Sequence, residues 1–159
     1  MFEKKREIGE NDNYIFKLIR EDSIQEFVCY MNLNNIQFSS NIEQSEFETN
    51  RLLMKSDVSL IEYAAFFGSI KIFQYLRTIV AEIEPFIWIY AIHSNNEKLI
   101  HLLESENIEY YKDSYEDLIH ESIKCHNNQL VKYFINYYHD CLKGDSSITF
   151  SKVFIISQI

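Results

Sequence analysis

The densest run of chemically capable side chains lies between residues 117 and 126. Asp117, His120, Glu121, Cys125 and His126 all fall within it. Imidazole, thiolate and carboxylate groups are the usual protein ligands of zinc. One reading is therefore a small metal-dependent hydrolase built on His120, Cys125 and His126, which expects a deep pocket where the three converge. The spacing, however, is neither HExxH nor CxxC, and no second ligand cluster accompanies it. The competing reading is one helix face and the turn that follows it. Cys125 and His126 are neighbours in sequence, which does not by itself set a thiol against a base for nucleophilic catalysis. There is no GxSxG elbow, and glycine occurs only at Gly9, Gly68 and Gly144, so a phosphate-cradling loop is nearly excluded. The residues favour a non-catalytic chain with no cofactor, no metal and no small-molecule substrate.

Composition narrows the class further. A chain of 159 residues fits one domain, able to bury roughly 70% of its unfolded surface. A hydrophobic content of 47% with 25% charged residues is that of a folded globular protein. The net charge is −9, and the only basic cluster is Lys4, Lys5 and Arg6. A phosphate-backbone binder needs a concentrated basic face, so nucleic acid and anionic membrane surfaces are poor partners. The three cysteines form no CxxC pair, which fits a reduced intracellular compartment, most simply the cytoplasm. Residues 1 to 13 carry no apolar run that would read as a secretory signal. No window approaches the ~20 apolar residues of a membrane span.

The elements that must position any site are short helices in pairs. Ser59 to Leu76, SLIEYAAFFGSIKIFQYL, reads as two helices joined at Gly68, where a positive φ costs glycine nothing. Ser69 is placed to cap the second helix. Ile72, Phe73, Tyr75 and Leu76 recur at helical spacing. The same apolar pattern recurs at Leu99-Ile100-x-Leu102-Leu103 and at Leu130-Val131-x-Tyr133-Phe134, steps of 27 (72 to 99) and 31 (99 to 130) residues. Ala64, Ala91 and Ser122 hold the equivalent small position in three successive first helices, as close stacking requires. Asn95 replaces Gly68 in the second turn, and Asn is the next-best residue there. An earlier pair, Tyr14 to Ile19 and Ile24 to Met31, precedes them, with caps offered by Asn11 to Asn13 and by Asp22 and Ser23. Residues 32 to 50 read as loop, with a short helix expected near Arg51 to Met54.

The unit SLIEYAAFFGSIKIFQYL resembles the ankyrin core TPLHxAAxxGHxEIVxLLL. Ala64, Ala65, Gly68 and Ile72 match directly, while Ser59, Leu60, Ile61 and Glu62 stand at the T-P-L-H positions. IWIYAIHSNNEKLIHLL and LIHESIKCHNNQLVKYF are weaker copies. The wording is similar to that of a divergent ankyrin-like family of unknown function abundant in trichomonad protists. The resemblance covers about residues 14 to 137. The connectors lack the glycines of an ankyrin finger, and the T-P-L-H tetrapeptide itself is absent.

The resemblance implies an all-α, ankyrin-like helical solenoid of stacked helix-turn-helix pairs with an N-terminal helical unit. Its expected divisions are a frayed segment 1–12, the N-terminal unit and connector 13–58, repeats at about 59–84, 85–114 and 115–138, and an irregular tail 139–159 that fits a truncated array. It implies protein–protein binding on the concave face, where Phe66, Phe67, His93, Ser94, Lys124 and Cys125 occupy the variable contact positions. Adjacent helical residues diverge by about 100°, so Phe66 and Phe67 cannot share one core. The acidic residues Glu104, Glu106, Glu109, Glu116 and Asp117 read as a solvated face around the last connector. A third reading is a fragment of a longer repeat protein with no independent function.

Overall fold

The computed structural model describes residues 9–42, 45–55, 58–80, 82–111 and 114–144, with side chains of the last helix up to residue 136. The described residues form eight α-helices and no strand. They are α1 (Tyr14–Arg20), α2 (Ile24–Leu33), α3 (Leu60–Phe67), α4 (Ile70–Ile79), α5 (Ile87–Ser94), α6 (Glu97–Ser105), α7 (Tyr115–Lys124) and α8 (Asn128–Gly144). The chain divides into two compact units, Met1–Lys112 and Asp113–Ile159.

In the first unit the helices come as three pairs, α1/α2, α3/α4 and α5/α6, each packed within itself. The first helices also pack on one another, with α3 between α1 and α5, and α2 packs on α4. Burial follows from those positions. A helix enclosed on several sides must be apolar nearly all round. Accordingly α3 buries Leu60, Ile61, Tyr63, Ala64 and Ala65, and α5 buries every residue from Ile87 to Ile92. The second helices bury a single stripe instead: Phe27 and Met31, then Ile72, Phe73 and Leu76, then Leu99, Ile100 and Leu103. Ala64 and Ala91 are fully buried, and a methyl side chain there lets α3 and α5 lie close.

The turns within the pairs are equivalent in backbone as well as in sequence. Asp22, Gly68 and Asn95 all adopt the left-handed conformation, with φ of 49°, 67° and 51°. Consecutive turns are then tied together. The Asp22 carboxylate accepts from the backbone N–H groups of Lys71 (3.2 Å) and Ile72 (3.0 Å), at the start of α4. The Ser69 hydroxyl donates to the Ile19 carbonyl, and the Asn96 side-chain amide donates to the Gly68 carbonyl at 3.1 Å. Ser69 therefore makes no side-chain cap of α4. The cap comes from the preceding turn, because Asp22 already occupies the orphan N–H groups. Arg77, near the end of α4, pairs with Glu106, just past the end of α6.

The connectors depart from the sequence expectation in two places. Residues 51–54 form turns rather than a helix. Asn50 accepts locally, from Leu52 N through its side chain and from Leu53 N and Met54 N through its carbonyl, and such local bonds compete with helix. Residues 9–12 are held, not frayed. Thr49 N–H donates to the Gly9 carbonyl at 3.0 Å, and the Asn11 N–H donates to the Glu48 carboxylate at 3.3 Å. Asn11 is 1% exposed. Residues 1–8 lie outside the described residues. An isolated antiparallel bridge, Asn41 to Ser59, fixes the entry to α3, where Ser59 and Glu62 complete a capping box.

In the second unit α7 and α8 pack together across a turn whose left-handed residue is His126, with φ of 54°. Tyr115, Leu118, Ile119, Ser122 and Phe134 are buried. The α8 backbone runs on to Gly144, past the end expected at residue 138. The rest of the expected tail, residues 145–159, lies outside the described residues. No helix among the described residues is long and apolar enough to cross a membrane.

Candidate partner-binding face

Phe66 and Phe67 end α3, and His93 lies in the last turn of α5. All three are partly buried. The divergence of adjacent helical side chains sends the two phenylalanines to opposite neighbours. Phe67 lies under Arg20 of α1, whose guanidinium carbon is 5.8 Å from the ring centroid. Phe66 stacks on the His93 ring at 5.0 Å and 20°. The pair touch each other edge-on at 5.1 Å. Phe67 also meets Tyr63 at 4.8 Å, and Tyr63 meets Phe16 at 4.8 Å. The result is a continuous run of rings, Phe16–Tyr63–Phe67–Phe66–His93, across all three pairs. Its first two members are buried and its last three reach the surface.

Arg20 fixes the buried end of this run. Its guanidinium donates to the Tyr63 hydroxyl (2.7 Å) and to the Asn11 carbonyl (2.9 Å), and pairs with Glu10 at 2.9 Å. Burial pushes the Tyr63 phenol well above the ordinary tyrosine value, outweighing the opposing influence of Arg20. Tyr63 is thus a neutral hydrogen-bonding anchor at any ordinary pH. Sequence reading gave Arg20 and Tyr63 no role at the site. A hydroxyl-bearing ring inside the apolar run Leu60 to Phe67 was the available signal, since a buried Tyr needs a partner.

The other expected contact residues fare differently. The Ser94 hydroxyl donates to the Ala91 carbonyl (2.7 Å) and accepts from Asn96 N–H (3.2 Å), so it builds the turn. Lys124 and Cys125 belong to the second unit. The exposed Lys124 ammonium pairs with Glu121 at 2.8 Å, and that hydrogen bond raises its pKa. Cys125 is partly buried, and burial raises its thiol pKa, the opposite of what an activated nucleophile needs. His120 and His126 are both exposed. The ligand atoms of His120, Cys125 and His126 do not gather as a metal-binding group.

No known family model, curated protein or solved structure matches the chain.

Proposed function

We propose that the chain is a non-catalytic protein-interaction scaffold, an ankyrin-like array of helix pairs that binds a partner protein on the face formed by Phe66, Phe67 and His93. The observation that carries this reading is the run of rings. It crosses three packed helix pairs, is anchored through the Arg20–Tyr63 hydrogen bond, and leaves its last three members partly exposed. Rings held in this way lose little freedom when a partner covers them, which lowers the cost of binding. Aromatic side chains also dominate the energetics of protein interfaces. Repeat arrays work through extended surfaces of this kind. The net charge of −9 argues for a protein rather than a phosphate-backbone partner.

The test is affinity capture from the native cell, comparing the wild-type chain with Phe66→Ala and with Phe66→Ala/Phe67→Ala. A thermal melt by circular dichroism accompanies it, to confirm that each variant is folded. The expected result is loss of a discrete set of captured proteins from the folded Phe66→Ala variant. An unchanged set from a folded double variant overturns the reading.

A further inference from the structure

A cleft of about 530 Å³ opens at the N-terminal ends of α3 and α5, the ends opposite Phe66, Phe67 and His93. That volume lies within the range of small-molecule and side-chain sites. The connectors wall it. Phe86 and Tyr90 supply aromatic surface, packed edge-on at 5.4 Å, with Val80 and Ile83 beside them. An ammonium already sits on that surface. Lys55 Nζ lies 4.2 Å from the centroid of the Phe86 ring, well inside cation–π range.

Lys55 is exposed and sits in an irregular stretch between helices. Among the described residues its ammonium has no carboxylate partner. Among the described residues the ring is its one recorded contact, and a second cation can replace it there at small cost. The carboxylates near the cleft are not equivalent. Glu62 is engaged by the Ser59 N–H and hydroxyl at 2.7 Å. Glu82 and Glu84 line the cleft, are exposed, and have no side-chain partner among the described residues. An aromatic seat, aliphatic walls and exposed carboxylates at the rim match an alkylammonium: methylenes against Val80 and Ile83, charge between the ring and the acids. A bare metal ion would gain nothing from the ring or the aliphatic walls.

We propose that this cleft binds a lysine side chain of a partner polypeptide, with the Phe86 ring as the cation seat and Lys55 as a built-in competitor. The site shares no residue with the face formed by Phe66, Phe67 and His93, and each stands without the other. A seat occupied by an internal cation is available only for the fraction of time that cation is away, and the apparent affinity falls by that fraction. Removing Lys55 therefore strengthens binding of an external lysine, by about two- to fivefold for a cation–π contact at an exposed site.

The probe is acetyl-Gly-Lys-Gly-amide, titrated into the full-length labelled protein and followed by NMR at Phe86 and Tyr90. Acetyl-Gly-norleucine-Gly-amide, apolar and uncharged, is the control ligand. Lys98→Gln, which removes the same charge from an exposed position on α6, is the control for general electrostatics. The expected results are saturable shifts with the lysine peptide only, tighter binding in Lys55→Gln but not to the same degree in Lys98→Gln, and weaker binding in Phe86→Leu and in the surface variant Glu82→Gln/Glu84→Gln. Equal tightening in Lys55→Gln and Lys98→Gln overturns the competitor role. Equal binding of the norleucine peptide, or the absence of saturable shifts at Phe86 and Tyr90, overturns the site.

Discussion

Tyr63 is the residue on which the aromatic face depends, and its chemistry is open to measurement. Its hydroxyl is buried within an apolar helix and accepts from Arg20. Burial penalises the phenolate, so the folded chain keeps this proton above the pH at which an unfolded chain releases it. The sign follows by linkage. Below about pH 10, the ordinary tyrosine value, both states hold the proton and stability is unaffected. Above it the unfolded state alone loses the proton, and stability falls as pH rises. Urea unfolding of wild type and Tyr63→Phe at pH 7 and pH 10.5 isolates the effect. The variant loses about 1 kcal/mol at pH 7, the typical worth of one hydrogen bond, and falls less steeply than wild type toward pH 10.5. Parallel falls would mean that the phenol ionises freely in the folded chain. The sequence showed that Phe66 and Phe67 must diverge but not where each would go. Helical geometry fixes the angle between neighbours, whereas Arg20 and His93, the partners that receive them, come from other pairs.

At the scale of elements, the turns were the most legible part of the chain, and only half of their role was legible. Gly68 and Asn95 announced left-handed turns because few other residues adopt φ near 60° cheaply. Asp22 and His126 adopt the same conformation without advertising it. The links between turns were hidden altogether. Ser69 looked like the cap of its own helix, but the cap arrives from Asp22, some 50 residues earlier. The helix expected near Arg51 to Met54 failed for a related reason: Asn50 offers that segment local turn bonds that spacing of apolar residues does not reveal. Two substitutions measure what the turns contribute. In Gly68→Ala a new Cβ lies 3.2 Å from Asn96 and Ser94 side-chain atoms at a φ of +67°, and the expected loss is about 1–2 kcal/mol. Gly68→Asn, the residue used at the next turn, loses less than Gly68→Ala despite its larger side chain. Asp22→Ala removes the cap from α4 and loses about 1 kcal/mol, seen as a lower midpoint with unchanged m-value. Were Gly68→Asn the worse of the two glycine variants, crowding rather than backbone conformation would set the requirement at this turn.

For the whole molecule the dominant fact is its net charge of −9, and the two proposed sites should differ in how far they respond to it. Composition made that charge plain. Where the acids converge on an aromatic surface was not legible, because the cleft joins Lys55, Glu82, Glu84 and Phe86 from two separate connectors. The Phe66 face presents rings, and burying rings is indifferent to ionic strength to a first approximation. The cleft presents carboxylates at its exposed rim, where attraction for a lysine is screened by salt. Between 0.1 M and 1 M salt the Debye length shrinks from about 10 Å to about 3 Å. The rim carboxylates and the diffuse field of the other acids then count for little, while the ring contact of the ammonium persists at short range. The lysine tripeptide is therefore expected to bind several-fold more weakly at 1 M than at 0.1 M sodium chloride, and Glu82→Gln/Glu84→Gln to reduce that salt dependence. Proteins retained through Phe66 are expected to survive the same wash. A lysine affinity that ignores salt would leave the ring alone as the source of binding. A Phe66-dependent partner that elutes at 1 M would assign that interaction to charge instead of to the rings.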